Sequence, residues 1–286
     1  MSEVRIGVIG GSGLYEMDGL KKLEEKWIDT PFGKPSDAVI IGELEGQNVA
    51  FLPRHGRGHL FNPSEINFRA NIYAMKVLGV QNILSVSAVG SMKEKIAPGD
   101  IVLVDQFIDR TRDRPSTFFE KGIVAHVSFA DPVCPSLFNL VYESSKGIKA
   151  KIHKGGTYIC IEGPMFSSRA ESKLYRSWDV DVIGMTNLQE AKLAREAEIC
   201  YTTLALSTDY DCWHESEEAV DASMVLETMN KNVVTAKKII RETVKNMVQK
   251  KKCGCGDVLK YAIISDPRKI GPEVKKRLAP IIEKYI

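Results

Sequence analysis

Long hydrophobic runs, internal repeats and low-complexity tracts are missing from this chain of 286 residues. Its apolar runs are far shorter than the ~18 residues that a membrane span needs, so we expect no membrane partner. Neither sign of charge dominates, because 39 Lys and Arg residues against 37 Asp and Glu residues give a formal net charge of +2. These charges are spread through the chain, which argues against nucleic acid as the main partner.

Cysteine is scarce, and its spacing predicts no obvious metal centre. Buried thiols are the default in a cytosolic protein. We expect this state for Cys134, Cys160, Cys200 and Cys212, which are scattered among apolar or turn residues. Cys253-Gly-Cys255 is too close-spaced and too isolated to form a tetrahedral zinc site unaided. A structural disulfide or a redox pair stays open for it.

Strand-like and helix-like segments alternate along the chain, which predicts an α/β fold. We expect a single domain with a twisted, largely parallel or mixed central sheet flanked by helices. The first strand covers residues 4–9, which are followed too quickly by glycine to be a signal peptide, so we expect a cytoplasmic protein. Residues 1–250 form the predicted catalytic domain. Residues 251–286 form a C-terminal extension that packs on this domain or on a neighbouring subunit.

Two segments show helix signals. Asn62-Pro63-Ser64-Glu65 combines a capping residue, a proline in the first turn and a glutamate at the third position, and it predicts a helix that ends before Gly79. Apolar residues recur at helical spacing from Ala222 to Lys250 and predict a long amphipathic helix.

An apolar run from Cys200 to Ser207 ends in two acids, Asp209 and Asp211. The run is short and bounded by polar residues, as in a buried strand. Ligands of open α/β sheets bind at the carboxyl ends of strands. A carboxyl group that is desolvated there keeps its proton more readily and can donate it to a basic ring nitrogen. A simple turn, in which Asp is common, explains the segment equally well.

Other predicted strand ends carry groups that suit an oxyanion. Glycines let backbone N–H groups approach an anion, hydroxyls add donors, and arginine binds phosphate in a bidentate manner. The glycine turn at residues 10–13 lacks both the GxGxxG and the GxxxxGK[ST] spacing. A free phosphate substrate, and hence phosphorolysis, is therefore the better interpretation, although tight turns and a solvated basic loop remain alternatives. The candidate phosphate residues are Ser12, Arg54, His55, Ser87 and Ala88.

Two further segments suit a nucleoside. Phe166 follows Glu162-Gly-Pro and could stack on a heterocycle. Met185 and Thr186 stand between a predicted strand and a predicted helix, where the first could pack on a sugar and the second could bind phosphate. A core aromatic, a core methionine and a capping threonine are the alternatives.

Taken together, these motifs closely resemble the 5′-methylthioadenosine phosphorylase family, which belongs to the trimeric purine nucleoside phosphorylases. The resemblance runs in register from about Val4 to Lys250. The motifs that carry it are Ile9–Leu14, Asp29–Ser36, Arg54–Gly56, Asp105–Thr111, Ile161–Pro164, Phe166–Arg169 and Thr208–Trp213.

The resemblance implies phosphorolysis of 5′-methylthioadenosine to adenine and 5-methylthioribose 1-phosphate, with no metal and no organic cofactor. It implies a phosphate site of Ser12, Arg54, His55, Ser87, Ala88 and Thr186. It implies that Phe166 and Met185 contact the base and ribose and that Asp209 and Asp211 bind the purine. It implies a 5′ pocket lined by Ala222, Val225 and Leu226, with His126 reaching into the neighbouring subunit's site and His59 close by.

The resemblance also implies a homotrimer, and a hexamer remains open. Ser12 and Ser87 stand where the family more often has Thr, and both keep the hydroxyl. Ala222 stands where a larger aliphatic residue is usual, which leaves room for adenosine as a substrate. A broader adenosine or inosine phosphorylase, a hydrolytic nucleosidase and a non-catalytic nucleoside-binding protein are the alternative functions.

Overall fold

The computed structural model describes residues 4–214, 222–247 and 253–286. In this part of the chain one mixed sheet of eleven strands is flanked by helices, which confirms the predicted α/β domain. The strands are β1 (Ile6–Gly10), β2 (Lys21–Lys26), β3 (Val39–Leu44), β4 (Gln47–Pro53), β5 (Asn82–Ser91), β6 (Ile101–Val104), β7 (Gln106–Arg110), β8 (Ile152–Lys154), β9 (Thr157–Ile161), β10 (Val182–Gly184) and β11 (Cys200–Asp209). The helices are α1 (Phe68–Val77), α2 (Pro135–Ser145), α3 (Arg169–Ser177), α4 (Asn187–Glu196), α5 (Ala222–Lys245) and α6 (Pro272–Ile282).

Strand β5 lies at the centre of the sheet. It pairs in parallel with β1 and with β11, and β1 pairs in parallel with β4. Near its end, β5 also meets β10 in an antiparallel pairing at Gly90 and Ser91. The carboxyl ends of β4, β1, β5 and β11 therefore meet at one edge of the sheet, where α/β proteins place their ligands.

The central strands are apolar because both of their faces are covered. β1 is buried throughout, and β11 is buried from Cys200 to Thr208. Parallel strands covered on both faces read as continuous apolar runs rather than alternating ones. β2, Lys-Lys-Leu-Glu-Glu-Lys, lies at the edge of the sheet beside β3 and was not predicted, because its charged residues resemble a solvated loop.

The predicted start of α1 was wrong. The capping interactions of Asn62 and Glu65 do form, with the Asn62 N–H donating to Glu65 Oε2 over 2.9 Å and the Glu65 N–H to Asn62 Oδ1 over 3.2 Å. They close a single turn, however, and the helix begins later, where the Asn67 side chain accepts a hydrogen bond from the Ala70 N–H. A capping pattern is local, so it stabilises an isolated turn as readily as the first turn of a helix.

Helix α5 packs against β11 and α2 and buries an apolar face that includes Ala236, Ile239 and Ile240. Its predicted end at Lys250 lies outside the described residues. Within the described ranges, no helix has both the length and the apolar character that a membrane crossing requires.

The C-terminal segment packs on the domain. Leu278, Ile281 and Ile282 of α6 share a buried cluster with Ile72 of α1. Ile263 forms an isolated antiparallel bridge with Ala125. The segment thus contributes to the same hydrophobic core as the residues before it.

Candidate active site

Asp209 and Asp211 lie at the carboxyl end of β11. The Asp211 N–H donates to Asp209 Oδ1 over 2.8 Å, and the Thr208 hydroxyl donates to Asp209 Oδ2 over 2.6 Å. Asp211 is only 6% exposed and has a left-handed φ of 52°. Burial raises the pKa of Asp211, and the nearby Asp209 charge adds to the increase. Asp211 therefore retains its proton to a higher pH than a solvent-exposed aspartate does.

The backbone of β5 approaches this acid pair at Gly90. A β-bulge in β11 between Ser207 and Asp209 places Asp209 opposite Gly90. A Cβ atom at Gly90 would lie 3.0 Å from Asp209 Oδ1 and 3.0 Å from Ile183 Cγ2. Glycine thus allows β5, β10 and β11 to converge beside the acids.

Arg54 follows β4 and is buried beside Glu190 of α4. Its Nε donates to Glu190 Oε1 over 2.5 Å and its Nη2 to Glu190 Oε2 over 3.0 Å. Nη1 donates to the Val86 carbonyl over 2.8 Å, and Nη2 also donates to Ser85 Oγ over 2.6 Å. Burial alone would lower the pKa of Arg54, but the Glu190 carboxylate outweighs it and raises the pKa. Arg54 is therefore a fixed positive charge in a fixed orientation.

Glu190 is in turn held by neighbouring hydroxyls. Its Oε2 accepts from Ser85 Oγ over 2.7 Å and from Tyr201 Oη over 3.0 Å. Asn187 Nδ2 donates to the same Ser85 and Tyr201 oxygens over 2.8 and 3.0 Å. This buried network ties α4 to β5 and β11, because each strand supplies a hydroxyl.

Ser87 and Thr186 form a second polar group near the end of β5. Their hydroxyl oxygens lie 3.4 Å apart. Thr186 is the N-cap residue of α4, yet its side chain makes no capping hydrogen bond. The amino end of a helix carries a partial positive charge and unpaired N–H groups, so this position suits an anion. Ala88 follows Ser87 in β5 and is half-buried.

The other predicted phosphate residues lie at the ends of β1 and β4. Ser12 opens a short 3₁₀ turn after β1. His55 stacks on His59 with ring centroids 4.1 Å apart, and its Nδ1 lies 2.8 Å from the Phe61 carbonyl. Burial and then the Arg54 charge lower the pKa of His55 to about 4, so its imidazole is neutral near neutral pH. His59 is exposed.

Arg114 connects the segments that carry Phe166 and Met185. It is buried, its Nε donates to Glu162 Oε1 over 3.0 Å, and its Nη1 donates to the Met185 carbonyl. Met185 is half-buried, whereas Phe166 is 54% exposed and so is available for stacking. Cys212 Sγ donates to the Ser167 carbonyl over 3.3 Å, which brings the segment after Phe166 beside the acid-bearing turn.

Not all predicted residues are brought together. His126 lies beside the C-terminal segment, where its N–H donates to the Ala262 carbonyl over 2.9 Å. Within the described contacts, none joins His126 to the acid pair or to Arg54. Ala222, Val225 and Leu226 belong to the first two turns of α5, and their side chains lie outside the described part of the structure.

Sequence reasoning missed Glu190, Arg114 and the role of Gly90. Glu190 had a signal that could have revealed it. It lies three and four residues before Leu193 and Ala194, on a helical face that is buried. A charged residue on a buried face almost always has a partner of opposite charge. Arg114 stands in a loop without a pattern, so only the fold reveals its contacts.

The arrangement combines two chemistries on neighbouring strands. Ser87 and Asp209 stand on the adjacent strands β5 and β11, and Gly90, which pairs with Asp209, comes three residues after Ser87. Three residues of a strand span about 10 Å. The Ser87 hydroxyl, which lies 3.4 Å from the Thr186 hydroxyl at the amino end of α4, is thus separated from the acid pair by about 10 Å along the strand.

Comparisons with known proteins agree with this arrangement. A family profile described as "Phosphorylase superfamily" matches residues 5–245. The chain is 57% identical to an S-methyl-5′-thioadenosine phosphorylase of Geobacter sulfurreducens, over 98% of this chain and 99% of that protein.

Solved structures give the same result. A methylthioadenosine phosphorylase from an antarctic soil metagenomic library superposes with a TM-score of 0.93 at 48% identity, covering 98% of this chain and 99% of that one. A methylthioadenosine phosphorylase from Schistosoma mansoni in complex with adenine superposes with a TM-score of 0.83 at 34% identity, covering 98% of each chain.

Proposed function

Because the chain belongs to the methylthioadenosine phosphorylases of the phosphorylase superfamily, we propose that it cleaves 5′-methylthioadenosine with phosphate. The products are adenine and 5-methylthioribose 1-phosphate. The observation that supports the proposal is that Arg54, Ser87 and the acid pair lie in or directly after parallel strands that run towards one edge of the sheet, with the Thr186 hydroxyl 3.4 Å from that of Ser87. The products belong to purine and methionine salvage.

A phosphate site needs hydrogen-bond donors that are already held in position before phosphate binds. We assign this role to Ser12, Arg54, His55, Ser87, Ala88 and Thr186. Four N–H groups of Arg54 already donate to protein acceptors, so Arg54 contributes its charge and its remaining N–H. The amino end of α4 and the hydroxyls of Ser87 and Thr186 supply further stabilisation.

The reaction moves charge from the sugar to the base. A phosphate oxygen forms a bond to the anomeric carbon while the bond to N9 breaks, and the electron pair remains on the purine. The Asp209–Asp211 pair holds one proton, and Asp209 donates it to N7 of the purine. Protonation makes adenine a better leaving group. The other carboxylate accepts from the exocyclic amine, which favours adenine over hypoxanthine. Phe166 and Met185 pack on the base and ribose.

The remaining assignments rest on the family. We propose that Ala222, Val225 and Leu226 line the 5′ pocket and that His126, with His59 close by, completes a neighbouring subunit's site in a homotrimer. We also propose a cytoplasmic location, a catalytic domain of residues 1–250 and a C-terminal extension of residues 251–286. Light scattering on the purified protein measures the oligomer, and a monomer would contradict the role of His126.

The reaction, as we propose it, needs no metal or organic cofactor at the reacting bond, because phosphate is the second substrate. Adding EDTA to the assay should leave the rate unchanged. A rate that falls with EDTA while the protein stays folded, and that returns with added metal, would contradict this point.

A substrate panel with and without phosphate tests the function. We expect adenine release from methylthioadenosine to require phosphate, to be slower from adenosine and to be slowest from inosine. Release without phosphate would identify a nucleosidase, equal rates on inosine would identify a broader phosphorylase, and saturable binding without release would identify a binding protein.

A further inference from the structure

Four cysteines that are far apart in the sequence meet at the end of the sheet opposite the candidate active site. They are Cys134, Cys200, Cys253 and Cys255, and their sulfur atoms all lie within 4.8 Å of one another. Cys200 is the first residue of β11, whereas Asp209 is the last. The sequence left open whether Cys253 and Cys255 form a disulfide or a redox pair, and the fold adds Cys134 and Cys200 to them.

We propose that Cys134, Cys200, Cys253 and Cys255 bind one Zn²⁺ ion as a tetrathiolate site. Four cysteine sulfurs are a common ligand set for structural zinc, and Zn–S bonds of about 2.3 Å place sulfurs about 3.8 Å apart in a tetrahedron. The Cys200 and Cys253 sulfurs lie 3.4 Å apart, close to this spacing. All four cysteines are free thiols, and a disulfide would bring a pair to about 2.05 Å.

The surroundings of the four sulfurs suit a closed structural site. Cys134, Cys200 and Cys255 are buried among apolar residues such as Val133 and Leu137, and Cys253 is half-buried. A zinc ion here would have four protein ligands and no open position for a substrate, which is the arrangement of structural rather than catalytic sites.

Positive charge next to the sulfurs balances the thiolates. Arg195 Nη1 donates to Cys255 Sγ over 3.6 Å, and its Nη2 donates to the Asp131 carbonyl. Cys134 occupies the N-cap position of α2. The positive end of a helix and a nearby arginine both favour the thiolate form that metals bind. Hydrogen bonds to metal-bound groups also orient the ligands.

The position of the four cysteines in the chain indicates what a bound zinc ion would stabilise. Cys253 and Cys255 belong to the C-terminal segment, while Cys134 and Cys200 belong to the domain. The backbone already joins the latter two, since the Cys134 N–H donates to the Tyr201 carbonyl over 3.0 Å. A metal ion bound by all four would fix the start of the C-terminal segment to the first residue of β11.

Metal analysis of the reduced protein tests the proposal. The full chain is purified anaerobically with a reductant and without chelator, and its zinc content is measured by mass spectrometry. Metal-free protein is then titrated with Co²⁺, for which a tetrathiolate gives intense visible bands and a sulfur-to-cobalt charge-transfer band. We expect about one zinc per chain, the cobalt bands of tetrahedral sulfur coordination, and a higher thermal unfolding temperature with metal than without it.

Variants separate the metal site from general effects on folding. The double variant Cys253→Ser/Cys255→Ser should lose the zinc, whereas Cys160→Ala, which removes a buried thiol of β9, should keep it. Cys253→His should retain the metal, because histidine is also a zinc ligand, and its cobalt charge-transfer band should fall by about one quarter. This last variant remains informative if the double variant does not fold.

Two outcomes would overturn the proposal. The first is a reduced, folded protein with four free thiols that binds neither Zn²⁺ nor Co²⁺. The second is a disulfide between any two of the four cysteines in protein purified anaerobically, because a sulfur in a disulfide cannot also be a thiolate ligand.

Discussion

The two ends of β11 carry different chemistry, although the strand between them is buried almost throughout. At its carboxyl end, Asp209 and Asp211 are partly desolvated acids that do not neutralise each other. At its amino end, Cys200 lies among three other thiols and apolar side chains. The carboxyl end thus carries acids that suit proton transfer, and the amino end carries thiols that suit a structural role.

The chemistry of the two ends of β11 differs because different parts of the fold surround them. The carboxyl end of β11 lies at the edge of the sheet where β1, β4 and β5 also end, and its acids meet the Thr208 hydroxyl and the backbone of β5 at Gly90. The amino end is covered by the loop before α2 and by the C-terminal segment, which exclude water. The same strand therefore connects the candidate active site with the proposed zinc site, and variants at each end should have separable effects.

The largest effect is expected from Asp209→Asn. Loss of a proton donor of this kind typically lowers the rate about 10²- to 10⁴-fold, and we expect this loss in kcat/KM for methylthioadenosine. The thermal unfolding temperature should change little. Because an amide can donate to a 6-oxopurine, the preference for adenosine over inosine should also decrease. An unchanged preference in the substrate panel would contradict the assigned role.

A loss of stability is expected at the same end from Glu190→Gln. The substitution leaves the buried Arg54 charge without its counterion, and breaking a buried pair costs about 3–5 kcal/mol. The free energy of unfolding in urea measures this cost. Glu143→Gln is the matched control, since Glu143 pairs with Lys146 at the surface, where solvent screens the pair and its removal should change stability little. Equal losses of unfolding free energy in the two variants would show that the Arg54–Glu190 pair stabilises the fold no more than a surface pair does.

At the amino end, Cys255→Ala should lower stability and leave activity nearly unchanged, the reverse of what we expect from Asp209→Asn. We expect a loss of about 1–3 kcal/mol in the free energy of unfolding, because a buried side chain and its sulfur contacts are removed. The kcat/KM for methylthioadenosine should stay within about twofold, since kcat/KM reports transition-state contacts. A large loss of activity in folded Cys255→Ala protein would mean that the two ends of β11 are not independent.

The smallest effect concerns pH. Because the folded-state pKa of Asp211 is raised above its usual 3.8, the folded protein holds this proton longer than the unfolded chain. Stability should therefore fall as pH rises through the window that opens near 3.8 and closes at the raised pKa. Asp211→Asn should flatten this part of a plot of unfolding free energy against pH.

Asp179→Asn provides a control of opposite sign. A hydrogen bond from Lys93 lowers the pKa of Asp179, so its contribution should increase with pH. If Asp211→Asn and Asp179→Asn give the same change in slope, the desolvation of Asp211 does not govern the pH dependence.

Local patterns predicted much of the fold. The buried central strands follow from short continuous apolar runs, and the amphipathic α5 follows from apolar periodicity; both patterns are local. The start of α1 and the charged edge strand β2 were missed, because a capping turn and a run of Lys and Glu are compatible with several structures. Pairing with β3, which stabilises β2, depends on residues that follow it in the chain.

The candidate site was predicted in part for the same reason. Asp209 ends β11, Arg54 follows β4 and Ser87 lies within the apolar run of β5, so their residue types and positions were visible. Glu190 and Arg114 were missed because their roles depend on partners distant in the chain: Glu190 binds Arg54, and Arg114 binds Glu162.

The sequence alone determined which segments are buried strands and which polar residues stand at their ends, because both depend on neighbouring residues. Only the tertiary structure decided that Arg54 pairs with Glu190, that β5 approaches the acids at Gly90, and that Cys134 and Cys200 join Cys253 and Cys255. These contacts join residues 53 to 136 positions apart or come from the crossing of three strands, so no local pattern contains them. Their energies depend on burial, which is a property of the folded chain.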